Sequence, residues 1–154
     1  MADKTVDRWT KEGKAFKKAL QELGQLEVRV GYQEGLTYPD ENHTPVINVA
    51  LWNELGTVKS PPRPFIRQTV DNNEAKFQAE MKSAANELAN GATAEKVLNE
   101  LGVFAKGLLQ KEIKDGNFVA NAPSTIKKKG SDRPLIDTGL LRQSANYVIK
   151  KKGE

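Results

Sequence analysis

The sequence predicts an α+β domain: a small antiparallel sheet packed against two long helices, with an N-terminal helix and a short helix beside them. Three observations carry that expectation. Segments 26–32 and 145–150 alternate in side-chain character with the period of a strand. Segments 64–90 and 93–115 repeat apolar residues at three, four and seven, the period of a helix. The 154 residues suit one domain, and a chain of that size hides about 68–70% of its unfolded surface, enough for a core without staples.

Residues 5–24 read as a helix with Val6, Trp9, Phe16, Leu20 and Leu23 on one face and lysines on the other, stopped by Gly24. Residues 1–25 are thereby expected as a peripheral N-terminal element of a single domain 1–154. Leu26, Val28, Val30 and Tyr32 form the buried face of a strand. Residues 33–43 read as a loop. Thr44 is expected to cap the short helix Val46–Leu55, with Pro45 at its first position and Gly56 as its stop. Ile47, Ala50, Leu51 and Leu55 share helical spacing there.

Pro61-Pro62-Arg63-Pro64 breaks the chain, and one long helix is expected from Pro64 to Asn90, with Ile66, Val70, Phe77, Met81, Ala84 and Leu88 as its stripe. Thr93 caps the next helix, whose buried stripe is Val97, Leu101, Phe104, Leu108 and the Val103–Ile113 neighbourhood, closed by Asp115-Gly116-Asn117. Residues 117–139 read mostly as loop. Thr138–Ser144 fits a helical turn or a strand entry, and Ala145, Tyr147 and Ile149 face the core from a closing strand. The two strands pair with each other, with strands from the 33–43 or 56–60 loops, or with a neighbouring subunit.

Composition excludes several chemistries. There is no Cys and a single His, His43, so disulfides, thiolate sites and paired-histidine metal sites are absent. No cofactor, metal or membrane partner is expected. No apolar stretch approaches the roughly 20 residues of a membrane span, and the N-terminus has no apolar leader core, so cytoplasmic synthesis is expected. Residues 126–154 form a basic C-terminal segment, eight Lys and Arg against three Asp and Glu, or +5 within a chain total of +4. Such a tail suits nucleic acid or an acidic protein surface.

Asp137-Thr138-Gly139 is the aspartic-protease triplet, but such enzymes need a second carboxylate to share a proton, and no matching segment follows. The better reading is structural: Asp137 or Thr138 bonds the local backbone and Gly139 allows a positive dihedral. Trp52 lies off the most apolar line of its helix and marks a contact surface if exposed. Arg63 sits at a helix start, where the dipole disfavours a cation, so a partner is expected, such as Glu54 or an acid on another subunit. Phe65, beside two prolines, is either a core residue or an interface knob.

Three segments in this order resemble a known family: Val49-Ala50-Leu51-Trp52-Asn53-Glu54-Leu55-Gly56-Thr57, then Pro61-Pro62-Arg63-Pro64-Phe65-Ile66, then Pro134–Ser144 with Leu135-Ile136-Asp137-Thr138-Gly139. They are similar to the small tail-component and virion-morphogenesis proteins of tailed double-stranded-DNA phages and prophages. The resemblance implies a non-enzymatic neck or tail-completion protein, localised in the virion and in the host cytoplasm during assembly. It implies a ring of six copies, with neck, tail-terminator or tail-tube proteins as neighbours, acting in head–tail joining. Expected partner contacts are Trp52, Glu54, Pro62, Arg63, Phe65, Arg142, Lys150, Lys151 and Lys152; expected structural turns are Gly56, Asp137, Thr138 and Gly139. Arg142 and the three lysines are expected along one edge, toward a partner ring or transiently toward the DNA backbone. The alternative is a non-specific nucleic-acid-binding protein using the basic C-terminal segment.

Overall fold

The computed structural model describes residues 9–154, and the fold class is α+β, as the periodicities predict. Helix α1 spans Lys11–Gln25, capped by the Thr10 hydroxyl, which accepts from Gly13 N at 3.1 Å. The expected start at residue 5 and the facing Val6 lie outside the described residues. Gly24 does not stop α1; the helix runs through it, and strand β1 (Leu26–Gly31) follows directly. Strand β2 (Asn146–Lys151) pairs antiparallel with β1, Val28 opposite Ile149 and Val30 opposite Tyr147. Loops 33–43 and 56–60 add only isolated bridges, Thr37 with Pro45 and Thr57 with Ser60.

Helix α2 occupies Val46–Leu55 as predicted, but Pro45 takes the cap position rather than Thr44. Thr44 is held instead by Asp40, whose carboxylate accepts its N–H at 2.7 Å and its hydroxyl at 2.5 Å. The long helix expected over 64–90 is two helices, α3 (Phe65–Asp71) and α4 (Glu74–Ala89). Asn73 breaks it: buried, with φ −127°, it donates its amide back to the Thr69 carbonyl at 2.8 Å. Asn side chains compete with the helix ladder in this way. The break resets the helical phase, so Val70 and Met81 face solvent while Leu88 is buried.

Helix α5 (Ala94–Asp115) is capped by Thr93 as predicted. It lies between the sheet on one side and α1 and α4 on another. Its fully buried line is Val97, Leu98, Ala105, Leu109 and Ile113, while Leu101, Phe104 and Leu108 are only half-buried. Gly102 is the point of closest approach: the Tyr147 ring of β2 fills the place its side chain would take. The same tyrosine hydroxyl reaches Asn99 Oδ1 at 3.1 Å. Residues 117–139, read as loop, contain helix α6 (Pro123–Lys129), with Pro123 at its start and Gly130 at its end. Helix α7 (Leu140–Ser144) then leads into β2.

The main core joins Val46 and Ala50 of α2, Phe65 of α3, Leu109 and Ile113 of α5, and Leu135, Leu141 and Ala145 of the C-terminal segment. Phe65 is fully buried and meets Tyr32 edge-on, ring centroids 6.2 Å apart. A smaller cluster, Ala19, Leu88 and Val97, fastens α1 and α4 to α5.

Two substitutions test this packing. Phe65→Ala should cost about 3–5 kcal/mol in urea unfolding; a loss below 1 kcal/mol, in the sense of a surface change, contradicts core placement. Gly102→Ala should destabilise by about 1–2 kcal/mol, because overpacking against Tyr147 outweighs Ala's helix preference of about 1 kcal/mol. A Gly102→Ala protein that melts higher than the parent would show that the α5–sheet contact is looser than described.

Candidate assembly interface

Helix α2 carries apolar residues on both its buried and its solvent-facing sides. Val46, Ile47, Val49, Ala50, Leu51, Trp52 and Leu55 fill seven of its ten positions, and the other three are Asn48, Asn53 and Glu54. Only Val46 and Ala50 are buried; Ile47, Leu51 (53% exposed), Trp52 (48%) and Leu55 (62%) face solvent. The following turn extends the apolar surface, because Val58 at its tip is fully exposed. That turn is tight: Gly56 has φ 77°, and a side chain there would strike the Pro62 nitrogen at 2.8 Å. Thr57 N and Ser60 O close it at 2.8 Å.

The other end of α2 is tied to α3. The Glu54 carboxylate accepts Ile66 N at 2.8 Å and Arg67 N at 3.1 Å. Phe65 N bonds Arg63 O at 2.7 Å, Pro64 has no N–H, and Gln68 N starts the helical ladder on Pro64 O. Every orphan donor at the start of α3 is thus satisfied, two of them by one anion placed at the positive end of the helix. Glu54 is therefore internal to the fold, a correction to its place among expected partner contacts.

The Glu54 pairing expected of Arg63 is corrected likewise. It does not pair with Glu54; it is 8% exposed and donates Nε to the Val119 carbonyl at 2.8 Å and Nη2 to the Ala120 carbonyl at 3.2 Å. Its main-chain N–H also bonds Asn53 O at 2.6 Å. The guanidinium pins the segment before α6 to the α2–α3 corner. Phe65, in the core, is not an exposed knob, because the turn after Pro64 directs it inward beside Tyr32. Pro62 and Trp52 are exposed, as a contact role requires.

A cleft of about 470 Å³ opens beside α2, and it gathers all three sequence segments: Trp52 from the first, Arg63 from the second, Asp137 and Leu141 from the third, with Tyr38 and Lys129. Lys129 turns into this cleft from the last turn of α6, and burial first, then the Arg63 charge, pushes its ammonium below the usual lysine range while Asp137 opposes the shift. Burial also lowers Arg63. Burial, with the Asp137 charge, raises the Tyr38 phenol. Asp40 also lines the cleft, its carboxylate held below the ordinary range by the two Thr44 bonds.

The C-terminal turn is built as expected. Gly139 has φ 80°, and Leu140 N meets the Thr138 hydroxyl at 3.3 Å. Leu141 is buried, and Asp137 is exposed at the cleft rim. Leu135 holds φ 62°, a conformation costing a side-chain-bearing residue roughly 1–2 kcal/mol, and is kept there by burial in the core. The expected basic edge is not continuous. Lys150 lies opposite Glu27 and Lys151 opposite Leu26, so strand alternation sends them to opposite faces. Lys152 N bonds Gln25 O past the strand end, and Arg142 sits half-buried near Lys111 and Lys114.

Leu51, Leu55 and Val58 were not among the expected contact residues, although seven apolar residues in ten from Val46 to Leu55 were a usable signal. Lys129 stood in the sequence only as part of a Lys-Lys-Lys run; nothing local distinguishes the one that turns inward. No group of His, Asp or Glu among the described residues is arranged to hold a metal ion, and no described helix is long and apolar enough to cross a membrane. Compared with the known protein families, the curated proteins and the solved structures, the chain matches none of them.

Glu54→Ala leaves two amides at the start of α3 without their acceptor and should cost about 1–3 kcal/mol in denaturant unfolding. Glu54→Gln, which keeps one oxygen acceptor, should recover part of that loss. Equal stability for Glu54→Ala and the parent would remove the corner from its structural role.

Proposed function

We propose that this chain is a structural protein of a tailed-phage virion, assembling as a ring at the head–tail junction or tail terminus and acting without catalysis in tail completion and head–tail joining. One observation carries the assembly part: α2 leaves Ile47, Leu51, Trp52 and Leu55 in solvent, continued by the bare Val58 tip. An exposed apolar patch of this kind is the mark of a protein contact. Trp52 sits within it, a residue type enriched at binding hot spots. The phage-specific part rests on the three motif segments, which converge on the α2–α3 corner and the adjoining cleft. In a ring, each copy presents one face to the next, head to tail, and closes by rotation.

The nucleic-acid alternative draws on the same lysines. Lys127 and Lys128 are exposed on α6, but Lys129 turns into the cleft and Lys150 and Lys151 diverge, so they do not form one track along a phosphate backbone.

Light scattering over a range of concentrations, alone and with tail-tube or connector proteins, tests the proposal. The parent should form closed oligomers visible by negative stain. Leu51→Asp combined with Leu55→Asp should abolish them while shifting the melting temperature of the free subunit little, since both side chains are exposed. Parent protein that stays monomeric in every mixture would refute the ring, and double-variant rings like the parent's would refute the α2 face as its contact.

A further inference from the structure

We propose that the cleft beside α2 receives an acidic side chain from an assembly partner of different sequence, seated between the Arg63 and Lys129 cations and flanked by the Trp52 ring. The inference rests on the assembly reading and names the partner's chemistry.

Arg63 is more than nine-tenths buried, yet its bonds go to two neutral carbonyls, and no carboxylate among the described residues lies within ion-pair distance of it. Arginine is almost never buried so deeply without a paired charge. Lys129, desolvated beside it, carries a second cation whose charge works against the first. Two acids of the chain also line the cleft. Asp40 is committed to Thr44, and Asp137 lies exposed at the rim, acting on Lys129 through space without an ion pair. Arg63 therefore lines the cleft without a carboxylate partner and Lys129 has Asp137 only through space, so an entering carboxylate would relieve both cations. The walls set the rest of the chemistry: Val49, Trp52, Leu135 and Leu141 suit an apolar neighbour of the acid. The cleft adjoins the bare α2 face through Trp52, so a partner seated in it lies beside the contact between copies. A chain of net charge +4 attracts an acidic protein, which favours a different partner at this cationic cleft, while the α2 face carries the contact between copies.

The test uses the whole chain and two short peptides, acetyl-Gly-Leu-Glu-Gly-amide and its Gln counterpart, titrated while the Trp52 indole and Arg63 Nε–H signals are followed by NMR. The Glu peptide should shift both signals saturably, bind at least about tenfold more tightly than the Gln peptide, and weaken as salt is raised. Lys129→Gln should lose about tenfold in affinity for the Glu peptide and nothing for the Gln peptide. Trp52→Ala should weaken both peptides. Arg63 is left intact because it holds residues 119 and 120. Equal binding of the two peptides, no effect of Lys129→Gln, or no saturable shift would overturn the carboxylate role. If the two signals move with protein concentration alone, and Lys129→Gln stops that movement, the occupant is a second copy and the assignment to a different partner is wrong. Light scattering of the same samples without peptide scores assembly separately, so the ring and the cleft can fail independently.

Discussion

The Glu54 carboxylate at the start of α3 is the contact on which the architecture turns. Helix α2 ends at Leu55 and α3 begins at Phe65, and the intervening turn could leave them at many angles. Two charge-assisted bonds from one side chain settle the angle and remove the cost of unpaired amides at a partly buried helix end. With α3 so placed, Phe65 enters the core against Tyr32, and Ile66 packs beside it. The prolines add stiffness: three in four residues limit the backbone before the helix starts.

Arg63 extends the same corner to the far end of the chain. Its bonds to Val119 and Ala120 hold the stretch between α5 and α6, so α6 returns Lys129 to the neighbourhood of Arg63. The Leu135–Gly139 turn then delivers Leu141 to the core and starts the path into β2. The cleft is the space left between these three pieces. Its cations are thus a by-product of how the fold is fastened.

Much of the fold was legible because it follows local rules. The paired strands, α2 from Val46 to Leu55, the Thr93 cap and the Gly139 turn each depend on a few neighbouring residues. The misreadings have separate causes. The 64–90 helix breaks because Asn73 reaches back to Thr69, a competition that apolar spacing does not register. The buried line of α5 shifts because a helix packed on two sides must fill both, and Gly102 yields to Tyr147 from a strand more than 40 residues away. Helix α6 escaped notice because seven residues rich in lysine carry no apolar stripe.

By itself the sequence determined most element types, the α+β class, the absence of thiol chemistry and the three segments that meet at the α2–α3 corner and the C-terminal turn. Those properties are set by residue type and short-range spacing. Tertiary structure alone decided that Glu54 and Arg63 serve different partners, that Phe65 is core, that the lysines of the C-terminal segment diverge, and that α2 keeps an apolar face in solvent. Each of these depends on what approaches from distant parts of the chain. Burial and charge pairing are properties of that approach, and no window of sequence contains both sides of it.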